Sequence, residues 1–317
     1  MKWRTEIRFD PPAFRLNHRQ KVFLIGSCFT DHMGAYLRSL WFDAMVNPFG
    51  TLFNPHSVRR LLERALGPEY LTETDLFRHE SLWKSFELPG LFNRPTQAEL
   101  LRHANETLDR VKEFLRQTDT AFVTYGTAQV WIHKALDRPV ANCHKVPARE
   151  FERRTLTPEQ IREYMEQTVH LLRTFNPSMH IVFTVSPVRY LQDGFTANTL
   201  SKARLLSVVI DKAQTDDLYY FPAYEIFMDD LRDYRFYAAD LIHPGEQGIA
   251  YVREIFDRTF FDDATRELNR KIVKWRKRLL HRPLHPGENE QKNREKLRAE
   301  IEELLKNHPY LRPDVNY

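Results

Sequence analysis

The chain has 317 residues, 42% hydrophobic and 13% aromatic, which suffices for one large packed domain with insertions and argues against a disordered chain. Its formal net charge is only +4, and residues 264–317 hold 14 Lys and Arg against 8 Asp and Glu. A near-neutral body with a basic tail does not fit a nucleic-acid-binding core.

No stretch approaches the roughly 20 apolar residues that span a bilayer. The first residues, Met-Lys-Trp-Arg-Thr-Glu-Ile-Arg, lack the apolar run and cleavage site of a secretory signal. Cys28 and Cys143 make no disulfide framework, and two reduced thiols in a cytoplasmic protein are expected. The expected partner is a small molecule, with neither membrane nor nucleic acid involved.

In chain order, Val22–Gly26 is a short apolar run that reads as a strand and leads into Ser27. A helical pattern follows over 30–40, then a weaker strand at 44–46 and a helix over 55–66. Residues 67–95, rich in aromatic and turn residues, read as an insertion. A helix over 96–116 leads to the strand 121–125, and 132–157 reads as a second insertion. Thr157-Pro158-Glu159-Gln160 combines an N-cap, a first-turn proline and a capping-box glutamine, opening a helix to 175. Strand 180–185, helix 198–212, strand 218–221 and helix 245–260 complete the body. Continuous apolar strands alternating with amphipathic helices predict a doubly wound α/β sandwich on a parallel sheet over residues 1–262.

From about 263 the composition changes. Two charged helices, 266–280 and 289–306, are expected as an extension over 263–317, split by Arg282-Pro-Leu-His-Pro-Gly287. Ile272, Val273, Trp275 and Leu279, with Leu297, Ile301, Leu304 and Leu305, form a narrow apolar stripe that packs on the body or on a second copy of the chain. These helices are thus the expected place for any homo-oligomer contact. Their lysines and arginines alternate with glutamates at helical spacing, as on a solvated face.

Ligands of open parallel sheets bind at the carboxyl ends of the strands, so the residues after each strand are the candidates. They are Gly26-Ser27-Cys28-Phe29, Asn47-Pro-Phe-Gly50-Thr51, Gly126-Thr127-Ala128, Ser186-Pro-Val-Arg189 and Asp240-Leu-Ile-His243, with Asn142-Cys-His144-Lys145 in the second insertion. These types suit acyl transfer: an imidazole takes the serine proton, a carboxylate fixes the imidazole tautomer, and backbone N–H groups receive the oxyanion. Duller readings stand beside each one. Ser27 alone reads as a helix cap, Asp240 as a turn residue and Cys28 as packing. Cys143, His144 and His243 match no zinc spacing, so no metal and no cofactor are expected.

Taken together, these segments resemble the GSCFA family, a branch of the SGNH/GDSL hydrolases. Gly26-Ser-Cys-Phe29 followed by Thr30 carries the signature, with Asn47–Thr51, Tyr125–Ala128, Ala141–Lys145, Ser186–Arg189, Asn198, Ser201-Lys-Ala203, Tyr219–Glu225 and Asp240–Pro244 in order. The resemblance spans roughly residues 20–260 and implies a three-layer SGNH (flavodoxin-like) fold. It implies Ser27 as nucleophile, Asp240 and His243 as orienting acid and base, and the N–H groups of Ser27 and Gly50 as oxyanion donors. The superfamily's Gly-x-Asn block reads Gly126-Thr127-Ala128 here, so its asparagine is missing. Asn142 is the preferred replacement and Thr127 the alternative; Gly126, His144 and Arg189 are expected to bind substrate. The expected activity is ester hydrolysis through a Ser27 acyl-enzyme, on a small ester such as an acetylated sugar or cell-envelope precursor. An O-acyltransferase using the same residues and a non-catalytic carbohydrate-binding or scaffold protein are the rivals.

Overall fold

The computed structural model describes residues 4–215, 217–280 and 288–314. The first half of the body contains strands β1 (Lys21–Gly26) and β2 (Asp43–Val46), with helix α1 (Cys28–Ser39) between them and α2 (Pro55–Leu66) after. The first insertion folds into a small hairpin, β3 (Phe77–His79) and β4 (Leu82–Lys84), ahead of α3 (Gln97–Arg116). Strand β5 (Thr120–Tyr125) enters the second insertion, β6 (Gln129–His133), β7 (Arg138–Val140) and β8 (Phe151–Thr155). Then come α4 (Pro158–Phe175), β9 (His180–Val185), α5 (Gly194–Thr215) and β10 (Tyr219–Tyr220). A single turn α6 (Ala223–Glu225) runs into a π-helical stretch, Ile226–Leu231, and α7 (Glu246–Phe260), α8 (Asp263–Leu280) and α9 (Glu288–Asn307) follow.

The expected three-layer α/β sandwich is present. Its sheet has five parallel strands in the order β2-β1-β5-β9-β10. Alternate side chains face two separate cores. Phe23, Ile25, Val123 and Phe183 join the layer of α2 to α5, while Val22, Leu24, Phe122 and Val182 join that of α1 and α7. This double burial explains why the strands read as unbroken apolar runs. The chain leaves β1 toward β2 on one side and later returns to β5 on the other. The crevice between the carboxyl ends of β1 and β5 is therefore the topological switch point, where this class of sheet binds ligands.

The insertions carry strands that the sequence pattern had not resolved. β7-β6-β8 is an antiparallel sheet and stands beside that crevice. Both insertions are anchored through Glu87, whose carboxylate accepts from Arg64 of α2 (3.0 Å), Arg60 of α2 (3.1 Å) and Arg138 of β7 (3.1 Å).

The C-terminal helices pack on the body through a third cluster, Trp41, Ile272, Leu297, Ile301 and Leu311. Trp41 is completely buried there, stacks near Trp275 at 6.3 Å, and its carbonyl accepts from Arg312 N at 2.9 Å. Val273, expected in the stripe, is instead 52% exposed. It follows Ile272 directly, and 100° of helical rotation takes it off the contact face. The predicted break at 282–287 lies outside the described residues.

Candidate active site

The turn after β1 can be built only with glycine. Gly26 has φ +143°, and a Cβ there would lie 2.1 Å from Thr124 O of the neighbouring strand. Its N–H donates to Asn47 Oδ1 (2.8 Å), and Asn47 Nδ2 in turn donates to Asp31 Oδ1 (2.7 Å). These bonds fix the backbone that presents Ser27 at the start of α1.

Ser27 holds the N-cap position, yet its side chain makes no cap bond. The Oγ is fully buried and closes no hydrogen bond. The helix-cap reading therefore fails for this serine, whose hydroxyl stands near the Tyr190 phenol and not on the backbone of α1. Its neighbours explain the burial. A Cβ added at Gly126 would sit 3.0 Å from Ser27 Cβ and 2.7 Å from the Tyr190 hydroxyl. That phenol also lies 3.9 Å from Cys28 Sγ. Gly126 thus permits a close approach, and Tyr190 covers the serine.

Asp240 and His243 meet as the Asp-x-x-His spacing predicts. His243 Nδ1 lies 2.6 Å from Asp240 Oδ2, while Asp240 Oδ1 accepts from Ile242 N (2.9 Å) and His243 N (3.0 Å). Leu241, at φ +58°, makes the tight turn that brings those N–H groups round. The two backbone donors and the imidazole push the Asp240 carboxyl down to about 2, the His243 N–H being the largest cause. Both side chains are nearly half exposed. No hydrogen bond joins Ser27 to His243.

His243 opens on a cavity of about 580 Å³ at the switch point, bordered also by Cys28, Thr127, Asn142, Arg189 and Tyr190. Trp131 and Arg153 from the insertion sheet form its far wall, with Arg153 over the Trp131 ring at 4.9 Å. Arg153 also pairs with Asp193, tying that wall to the segment after Tyr190.

Three expectations need correction. Gly50 N–H is spent closing its own turn on Asn47 O (2.7 Å), and Ser27 N–H reaches back to Thr124 O (3.2 Å), so neither points free into the cavity. The Thr127 hydroxyl is engaged too, accepting from Gln129 N (3.0 Å) and bonded to Ser201 Oγ (3.0 Å). His144 is buried among Phe77 and Phe86, its Nε2 2.7 Å from Ser85 O, and does not border the cavity. Its ring holds the insertion together instead.

Besides Tyr190, two residues escaped the sequence reading of the site. Asn54, the N-cap of α2, borders the same cavity. Like Asn142, it commits Oδ1 to a backbone N–H, of Ser57 at 2.9 Å and of His144 at 2.7 Å respectively. In both, Nδ2 has no partner among the described residues. Lys202 is fully buried, and its Nζ donates to Gly126 O and Ser186 O, both at 2.6 Å, beneath the ring of Tyr190. Desolvation brings it down to about 7. The two carbonyls take two N–H groups, so the amine can give up one proton and keep both bonds.

The GSCFA family model matches residues 21–256, which include every residue of this site. The chain belongs to the GSCFA family. No curated protein matches this GSCFA chain in sequence. Among solved structures it is similar to a family 3 carbohydrate esterase from Talaromyces cellulolyticus, at 8% identity and a TM-score of 0.36, covering 80% of this chain and 99% of that one. A second is a family 3 carbohydrate esterase from Clostridium thermocellum, at 14% identity and a TM-score of 0.33, covering 80% and 98%. A third is the acetyl xylan esterase Est2A from Butyrivibrio proteoclasticus, at 12% identity and a TM-score of 0.30, covering 75% and 63%.

Proposed function

We propose that this GSCFA protein is a serine ester hydrolase of the SGNH type, acting through an acyl-enzyme on Ser27. The observation that carries the reading is the buried, unbonded Ser27 hydroxyl at the head of α1, beside a cavity on which an Asp240-anchored His243 opens.

In this mechanism His243 takes the Ser27 proton through Nε2, and Oγ attacks the ester carbonyl. The acyl–oxygen bond then breaks and His243 returns the proton to the departing alcohol. Water, activated by the same imidazole, completes hydrolysis. Asp240 holds Nδ1–H and stays ionised at any working pH, since its carboxyl titrates at about 2. The start of α1 favours the developing negative charge. The amides of Asn142 and Asn54, rather than the backbone of Gly50, are the donors open to the oxyanion. Cys28 is a poor rival nucleophile, because burial pushes its thiol above the ordinary value.

A second reading, acyl transfer to a hydroxyl other than water, draws on one feature. Ser27 has no exposed surface and lies under Tyr190, an arrangement that keeps water from an acyl-serine.

The test is turnover of p-nitrophenyl acetate by wild type and Ser27→Ala. Loss of turnover with an unchanged melting temperature is expected; retained turnover refutes the serine mechanism.

A further inference from the structure

The negative charge that forms on an ester carbonyl oxygen needs donors close to the attacking serine. The nearest backbone ones are spent, Ser27 N–H on Thr124 O and Gly50 N–H on Asn47 O. The Thr127 hydroxyl is held by Ser201 and Gln129. The amides of Asn142 and Asn54 stand on the border of the cavity. One side-chain donor stands at the serine itself. A Cβ at Gly126 would meet the Tyr190 hydroxyl at 2.7 Å and Ser27 Cβ at 3.0 Å, so the phenol lies over Gly126 and beside the serine.

The phenol is held from several sides. Tyr190 N–H donates to Asn198 Oδ1 of α5 (3.0 Å). Its ring meets Phe53 edge-on, at 5.4 Å and 76°. From beneath, Lys202 Nζ lies 5.1 Å from the ring centroid, and the same amine ties down the carbonyls of Gly126 and Ser186 on either side of the phenol. The phenol oxygen ends among the hydroxyls of Ser27 and Ser186 and the Cys28 thiol, whose Sγ is 3.9 Å away. Burial pushes Tyr190 well above the usual tyrosine range, so the phenol keeps its proton at any working pH. It is therefore a donor and not a base. Burial also raises Cys28, which stays a neutral thiol, and among the described residues no carboxylate bonds the phenol. No anion of the protein competes for its O–H, and a donor fixed in this way costs little reorganisation when charge develops beside it.

We propose that Tyr190 is a catalytic residue of the ester hydrolysis, its phenol O–H donating to the oxyanion of the tetrahedral intermediate. The inference rests on the serine esterase reading above. As the bond from Ser27 Oγ to the carbonyl carbon forms, the serine proton passes to His243 Nε2 and the carbonyl π pair moves onto oxygen. The phenol O–H rotates onto that oxygen and keeps its proton throughout. It works beside whichever of the Asn142 and Asn54 amides reaches the same oxygen, and it stands over Gly126-Thr127-Ala128, the segment that has no amide of its own.

The experiment measures p-nitrophenyl acetate kinetics and inhibition by phenylboronic acid, whose boron takes the serine oxygen and becomes tetrahedral, in wild type, Tyr190→Phe and Ser27→Ala. Phenylalanine keeps the ring over the serine and removes only the hydroxyl, so the melting temperature should hold. Tyr190→Phe should lower kcat by about 10²–10³ with KM changed by less than about threefold, and weaken phenylboronic acid by a factor similar to the loss in kcat. A ring that merely covers the serine would leave both readouts where they are. Wild-type kcat or wild-type inhibition in Tyr190→Phe overturns the proposal, and so does a rise in kcat, the mark of a lid. Ser27→Ala separates this inference from the reading beneath it. Wild-type turnover in Ser27→Ala, or a wild type that neither hydrolyses the ester nor binds the boronate, sinks the serine mechanism and Tyr190 with it. An inactive Ser27→Ala beside a fully active Tyr190→Phe removes Tyr190 alone.

Discussion

Replacing Lys202 by methionine removes the amine buried beneath the site while keeping most of its volume. The folded chain releases the Lys202 proton near pH 7, whereas an unfolded chain keeps it to about 10.5. Over that window the unfolded state binds more protons, so raising the pH relieves a charge penalty and stability rises. Integrating between pH 7 and pH 9 with those two values gives about 2 kcal/mol, half-protonation at pH 7 included. The absolute effect of Lys202→Met at one pH mixes opposite terms. It removes the buried charge, but it also strands the carbonyls of Gly126 and Ser186, at about 1–3 kcal/mol each. The pH slope is free of that mixture. Urea unfolding of wild type and Lys202→Met at pH 7, 8 and 9 should show wild type gaining about 2 kcal/mol relative to the variant. Parallel stability curves would mean that Lys202 stays charged at the site, and the neutral-amine description would be wrong.

Further outcomes are expected. Asp240→Asn should lower kcat by about 10² or more with little change in melting temperature, because the imidazole tautomer is no longer enforced; full activity would remove Asp240 from the mechanism. Asn142→Ala and Asn54→Ala should each reduce kcat, by about 10²–10³ for whichever amide meets the oxyanion, while Thr127→Val does less. Steady-state kinetics distinguishes them, and crippling by Thr127→Val alone would reverse the assignment. Ending the chain after Asp263 uncovers Trp41, whose lost burial costs about 1.5–3 kcal/mol; an unchanged melting temperature would show that the C-terminal helices add nothing to the body.

The fold was legible because its strands are buried on both faces. His180–Val185 reads as a strand from hydrophobicity alone, and the helix of Pro158–Phe175 announces itself through its capping box. The insertion strands did not, since β6 is only five residues with alternate burial, Gln-Val-Trp-Ile-His, too short for its period to stand out. Within the site, the Asp240 and His243 contact followed from spacing within one turn. The oxyanion donors did not follow, because whether an N–H is free depends on how its turn closes. Gly50 and Ser27 carry the expected types yet spend those groups on Asn47 and Thr124. Tyr190 was invisible for a similar reason: nothing local marks the residue after Arg189 as the one that folds over Ser27. His144 misled because its motif neighbours, Asn142 and Cys143, do border the cavity while its own ring turns inward.

The central claim is that Ser27 becomes acylated, and a fluorophosphonate tests it without knowledge of the substrate. Intact-mass and peptide mass spectrometry after labelling should find one adduct, on the peptide holding Ser27, and none in Ser27→Ala. An adduct on Cys28, or hydrolysis of p-nitrophenyl acetate by a protein that takes up no label at Ser27, would contradict the account.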